Sequence, residues 1–280
     1  MIGIVGGGQM GAGIAEVCAT HGIDALVVEQ STEAAAAATG RIERSLARAV
    51  KSGKATQEAA DAALARIAVS TQWDGLAGAE FIIEAVSENP TLKAEVFSRL
   101  SSITAGSGTI LATNTSSIPI AQIAAHTSCP ERVIGLHFFN PVPVMPLVEV
   151  VPSILTSPET VAATLALAGE RLDRVIVRTT DRAGFIVNTL LMPYLMSAIR
   201  MLEAGYATAE DIDTSMVTGC AHPMGPLALA DFIGLDTCAA IADSMYGEFK
   251  EPTFTPPPLL RRMVESGLLG RKSGRGFYTY

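Results

Sequence analysis

His137 ends an apolar run, Val133-Ile134-Gly135-Leu136, and a lone glutamate interrupts a second such run, Leu147-Val148-Glu149-Val150-Val151. A charge in the middle of an apolar strand is costly unless it is paired. The proline-rich stretch between the two runs, Asn140 to Pro146, can fold them side by side and bring Glu149 onto His137. A carboxylate at one ring nitrogen fixes the imidazole tautomer and raises the basicity of the other, as a general base near neutral pH requires. A structural His–Glu pair inside a core has the same signature, and the residues alone leave both readings open. Surface positions without a role are expected for His21, at a helix-to-strand turn, and His126, in a polar loop.

Two more polar groups stand in apolar settings. Asn114-Thr115-Ser116-Ser117 follows Ile110-Leu111-Ala112-Thr113, at the carboxyl end of a strand, where α/β sheets bind ligands. A helix N-cap is the alternative use for Ser116 or Ser117. Asn188 lies within Phe185–Leu191 and must find a partner, for which a protein carbonyl would do.

Gly6, Gly8 and Gly11 form G-x-G-x-x-G, and Gly13 extends it. The first glycine allows a tight turn, the second a close approach of the backbone to a pyrophosphate, and the third close helix–strand packing. A strand, Ile2–Val5, precedes the turn, which runs through Gln9 and Met10 into the apolar-periodic Ile14–Cys18. The helix N-terminus then offers unpaired N–H groups to phosphates. A second strand, Ala25–Glu29, ends in an acid 18 residues after Gly11. A carboxylate there accepts from ribose hydroxyls and repels a 2′-phosphate, which favours NAD over NADP. A solvated strand-end glutamate is the plainer alternative.

Further strands are expected at Ile67–Ser70, Phe81–Val86, Thr109–Thr113, Val133–Phe138, Leu147–Val151 and Val175–Arg178, separated by helical patterns such as Leu92–Leu100 and Glu159–Leu172. This alternation predicts an α/β Rossmann-type doubly wound, mostly parallel sheet over residues 1–182. Beyond Asp181-Arg182-Ala183-Gly184 the pattern is helical only, with Pro193 as an expected kink and Thr255–Pro258 as a stiff connector, so an all-α domain is expected over 183–280.

The 280 residues are 49% hydrophobic and 17% charged, ample for two cores and unlike a disordered chain. A net charge of −8 argues against a nucleic-acid partner, and no apolar run reaches a membrane span. With the first strand starting at the initiator methionine, no presequence is expected. Cys18, Cys129, Cys220 and Cys238 have no metal-ligand spacing and read as free, buried thiols of a cytoplasmic protein.

Together these residues resemble the 3-hydroxyacyl-CoA dehydrogenase family, especially its short bacterial 3-hydroxybutyryl-CoA members. The motifs are GGGQMGAGIAE (6–16), IIEAVSEN (82–89), TNTSSIPI (113–120) and GLHFFNPVPVMPLVEV (135–150) in the first half. GFIVN (184–188), HPMGPLALADFIGLD (222–236) and GRKSGRGFY (270–278) follow in the second. The resemblance spans nearly the whole chain. It implies an NAD cofactor, an acyl-CoA thioester substrate and a homodimer joined through the helical domain, with no nucleic acid and no membrane.

It also implies His137 as catalytic acid/base with Glu149 as its partner, and Ser116 and Asn188 at or near the reacting oxygen. Glu88 and Lys93 match cofactor contacts near the nicotinamide half, as Asn140 and Lys272 match residues near the cofactor. Ser45 matches a contact to CoA, whose three phosphates would give a use to the basic helix that carries Arg41, Arg44, Arg48, Lys51 and Lys54. Three positions depart from the family: Glu29 where aspartate is frequent, Pro146 for a lysine, and Thr189 for an arginine. None is catalytic, so any effect is expected on substrate or subunit contacts. Three rivals keep the scaffold. A sugar-acid dehydrogenase would lack thioester turnover, and a 3-hydroxyisobutyrate-type enzyme would need a lysine that the stretch around Asn188 does not offer. A non-catalytic protein would bind NADH without reducing acetoacetyl-CoA.

Overall fold

The computed structural model describes all 280 residues, which divide into two compact units, Met1–Asp181 and Arg182–Tyr280. In the first, β1 (Ile2–Val5) is buried along its whole length and leads through the glycine turn into α1 (Gln9–Thr20). Gly11 to Ala19 are all buried, so α1 lies inside the unit with no exposed stripe. After β2 (Ala25–Val28), α2 (Thr32–Lys51) is amphipathic. Ala38, Ile42 and Leu46, four residues apart, face inward and Arg41, Arg44, Arg48 and Lys51 face out, while Lys54 lies beyond the helix end.

The chain continues through α3 (Gln57–Leu64), β3 (Ile67–Ser70), β4 (Phe81–Glu84) and α4 (Pro90–Ile103). Asn89 caps α4, accepting from the Leu92 amide, and Pro90 occupies its first turn. Next come β5 (Ile110–Thr113), the short α5 (Ile120–Ala124), β6 (Val133–Phe138) and β7 (Leu147–Pro152). A helix, α6 (Pro158–Leu165), then widens into a π-helical segment over Ala166–Arg171 before β8 (Val175–Arg178). The pattern expected as one α-helix over Glu159–Leu172 is thus two forms in series.

The eight strands form one sheet in the order β3-β2-β1-β4-β5-β6-β7-β8. Every pairing is parallel except β6 with β7, which is antiparallel. Strand order reverses between β1 and β4, and the crevice at the carboxyl ends of those strands is where such sheets take ligands. Gly6 follows β1 there at φ +94°, and a Cβ on it would stand 2.9 Å from the Ala85 carbonyl oxygen beyond β4. Only glycine lets the two strand ends come so close.

The second unit is built from α7 (Val187–Glu203), α8 (Ala209–Cys220), α9 (Pro226–Ile233), α10 (Leu235–Phe249) and α11 (Pro258–Glu265). Its core gathers Met192, Leu195, Met196, Ile199, Leu227, Leu235, Met245 and Leu260, among others. Pro193 lies within α7, which continues through it. Two buried aspartates fasten the chain's last residues. Asp231 accepts from the Phe277 and Tyr278 amides and the Tyr280 hydroxyl. Asp213 caps α9 through the Leu227 and Ala228 amides and accepts from the Tyr278 hydroxyl. All four cysteines are free; Cys18, Cys129 and Cys238 are buried, but Cys220, at the end of α8, is exposed, contrary to expectation. No helix is long and apolar enough to cross a membrane.

Candidate active site

Antiparallel pairing sets His137 directly opposite Glu149, and Nδ1 lies 2.8 Å from a Glu149 oxygen. A carboxylate oxygen can only accept, so Nδ1 is the ring nitrogen that donates to Glu149. Glu149 is 1% exposed and His137 6%, its ring tilted against Phe139 at 4.5 Å. Gly135, two residues before the histidine, has no room for a Cβ, which would meet Ile120 and Val151 side-chain carbons at 2.8 Å. Asn114, at the end of β5, accepts from the Phe138 amide and ties the histidine strand to its neighbour.

The turn after β5 is organised by Glu88. One of its oxygens accepts from the Thr115 hydroxyl (2.6 Å), the Ser116 amide (2.8 Å) and the Ser117 amide (3.1 Å), with both serine hydroxyls at 3.2 Å. Burial pushes the Glu88 carboxyl up, but the Lys93 ammonium and the donors from Thr115 and Ser116 outweigh it and hold it below the usual carboxylate range. Ser116 and Ser117 do not cap α5, because both oxygens of Asp181 take that place at the Ile120 and Ala121 amides. Ser116 is half-buried, with a hydroxyl only loosely held.

The glycine turn fits a dinucleotide. Gly8 has nothing within 4 Å of the space a Cβ would fill, and the first turn of α1 has neither a side-chain cap nor an acidic residue. Its N–H groups are therefore left for phosphate oxygens. Glu29 folds back onto the turn, accepting from the Gly7 amide at 2.6 Å, while Arg41 of α2 donates to the Gly7 carbonyl at 3.2 Å. Gln9 donates to the Asn140 side chain at 2.9 Å, and Val142 packs where Gly13 has no side chain. Within this unit Glu88, expected at the cofactor, is in contact with Ser116, expected near the reacting oxygen.

Other expected positions are less engaged. Ser45 lies beside Glu16, a carboxyl that burial pushes up and one of whose oxygens has no partner. Lys51 is exposed at the end of α2. In the second unit Asn188 is 7% exposed in the first turn of α7, and Lys272 pairs with Asp236. Burial pushes the Cys18 and Cys238 thiols up to about 12, so neither is a nucleophile near neutral pH.

Residues 1–182 match the pattern of the 3-hydroxyacyl-CoA dehydrogenase NAD binding domain, and residues 184–280 that of the family's C-terminal domain. The chain belongs to the 3-hydroxyacyl-CoA dehydrogenase family. It is 52% identical to a 3-hydroxybutyryl-CoA dehydrogenase of Mycobacterium tuberculosis, over all of this chain and 98% of that one. Its structure is similar to that of M. tuberculosis FadB2, with a TM-score of 0.98 at 52% identity over 100% of this chain and 98% of the other. It is also similar to (S)-3-hydroxybutyryl-CoA dehydrogenase PaaH1 from Ralstonia eutropha, at 0.92 and 45% over 100% and 98%. The 3-hydroxyacyl-CoA dehydrogenase scaffold thus comprises a Rossmann-type sheet followed by a helical domain, and its cofactor is NAD.

Sequence reading named Glu88 but not its part as an acceptor for a whole turn, and it missed Glu84, which ends β4 fully buried and holds Lys93. Glu84 had a visible signal, a glutamate ending the apolar run Phe81-Ile82-Ile83. It is the same signal that singled out Glu149.

Proposed function

We propose that the chain interconverts (S)-3-hydroxyacyl-CoA, principally 3-hydroxybutyryl-CoA, and the 3-oxoacyl-CoA. The observation that carries this reading is the His137–Glu149 pair, buried and set by strand register in a unit that also bears the dinucleotide turn. In the oxidative direction Nε2 of His137 removes the 3-hydroxyl proton. Glu149 stabilises the imidazolium that results, and Ser116 and Asn188 hold the oxygen. When bound, NAD supplies the acceptor for the hydride that leaves C3. In reverse, charged His137 returns a proton to the developing alkoxide. Glu29 meets the adenosine ribose, Gly6 to Gly11 with Gln9 and Met10 the pyrophosphate, and Glu88, Asn140 and Lys272 the neighbourhood of the nicotinamide. Ser45, Lys51 and the exposed arginines of α2 meet the CoA phosphates.

Initial rates with acetoacetyl-CoA and longer 3-oxoacyl-CoAs, run with NADH and NADPH in parallel, test the reading. Acetoacetyl-CoA should be reduced, and faster with NADH than with NADPH. Binding of NADH without thioester turnover would overturn it in favour of a non-catalytic or sugar-acid protein. The helical unit further supports a homodimer, since Leu190 on α7 is 72% exposed and Val217 and Phe232 are partly exposed apolar side chains. Light scattering should return the mass of two chains; a monomer at micromolar concentration contradicts this. Free thiols suit a cytosolic location, which cell fractionation checks.

A further inference from the structure

Lys93 is matched to a cofactor contact by resemblance, yet its ammonium is 1% exposed and its protons are committed. Nζ lies 2.7 and 2.9 Å from the two oxygens of Glu84 and 3.4 Å from an oxygen of Glu88. An ammonium has three protons, so three carboxylate oxygens account for all of them. Glu84 is itself 0% exposed, and it also accepts from the Val86 amide at 2.7 Å and the Thr113 hydroxyl at 2.7 Å. Four short contacts make it the fixed end of the cluster. Glu88 is the free end, with a side chain 31% exposed and its other oxygen gathered by Thr115, Ser116 and Ser117.

We propose that Glu84 is a positioning residue for the nicotinamide end of the dinucleotide site, acting through Lys93 to set Glu88 against the Thr115–Ser117 turn. This rests on the dehydrogenase reading above and adds a residue to it. Two carboxylates share one ammonium, and Glu84 takes the larger share through its two short bonds. Glu88 is left with one long contact, enough to orient it and too weak to draw it off the turn. If Glu84 loses its charge, Lys93 turns its full attraction on Glu88 and pulls that carboxylate away from Ser116 and Ser117. If Lys93 alone is lost, two carboxylates face each other across the gap. Removing both charges restores the balance, because Glu88 keeps its donors and nothing competes for it.

The test compares Glu84→Gln, Lys93→Met and the double variant by fluorescence titration with NADH, with thermal melting as the control for folding. Each single variant should weaken NADH binding about tenfold, the worth of one charge-assisted hydrogen bond. The double variant should recover most of the loss, because the two residues share one charge network and their effects couple rather than add. Wild-type affinity in Glu84→Gln, or a double variant weaker than either single one, overturns the proposal. If Glu84→Gln fails to fold, the double variant against Lys93→Met decides it: tighter binding by the double supports it, and equal or weaker binding overturns it. NADH titration does not depend on which substrate is turned over, so failure here and failure of the acetoacetyl-CoA assay are distinguishable.

Discussion

His137→Gln should lower acetoacetyl-CoA reduction by at least ~10²-fold while leaving NADH binding unchanged. Glutamine occupies similar space and can still bond Glu149, so the strands keep their pairing. What it lacks is a ring nitrogen that can take up and release a proton. Nothing else in the first unit substitutes: His21 and His126 are exposed, and His21 lies against the Val17 carbonyl on α1. The glycine turn and Glu29 belong to β1, α1 and β2, away from the substituted strand in the sheet order. The measurement is steady-state loss of NADH absorbance beside a fluorescence titration of NADH. Activity near that of the parent would remove His137 from the mechanism.

Gly11→Ala acts on the other half of the chemistry and should abolish NADH binding outright. A Cβ at this position would stand 1.8 Å from the Gly6 carbonyl oxygen and 3.2 Å from a methyl of Ile4. Both neighbours are fixed, one as backbone and one inside β1, so the helix itself must move away from the strand. Overpacking of this kind costs about 3 kcal/mol or more. The displaced helix also carries its N–H groups away from the position that faces a pyrophosphate. A lowered melting temperature together with lost NADH binding is the expected result. Unchanged NADH affinity would mean that the close approach of α1 to the turn has no part in the site.

All eight strands lie where alternating apolar runs place them, because a sheet covered on both faces writes an unbroken hydrophobic signature for each strand. Boundaries shifted by a residue or two; the run expected to reach Val86 pairs only to Glu84. The His137–Glu149 contact was legible for a different reason, since a charge inside an apolar run needs a partner and few were on offer. Glu84 carried the same mark, but its partner Lys93 lies in a helix whose other residues look ordinary, and nothing in the spacing joins them. The π-helical segment and the aspartates that hold the last residues were illegible. They depend on contacts between positions far apart in the chain, such as Asp231 with Tyr278, which no local pattern encodes.

His137 and Glu149 sit on β6 and β7, both interior to the sheet, with β5 and β8 outside them. Rungs of such a ladder open only on the slow timescale of sub-global unfolding, unlike the turns that face the ligand. The geometry between His137 and Glu149 is therefore settled once, when the sheet forms. Heat should accordingly remove this pair and the fold of the first unit in a single step, with no stage at which the sheet survives and the pair has come apart.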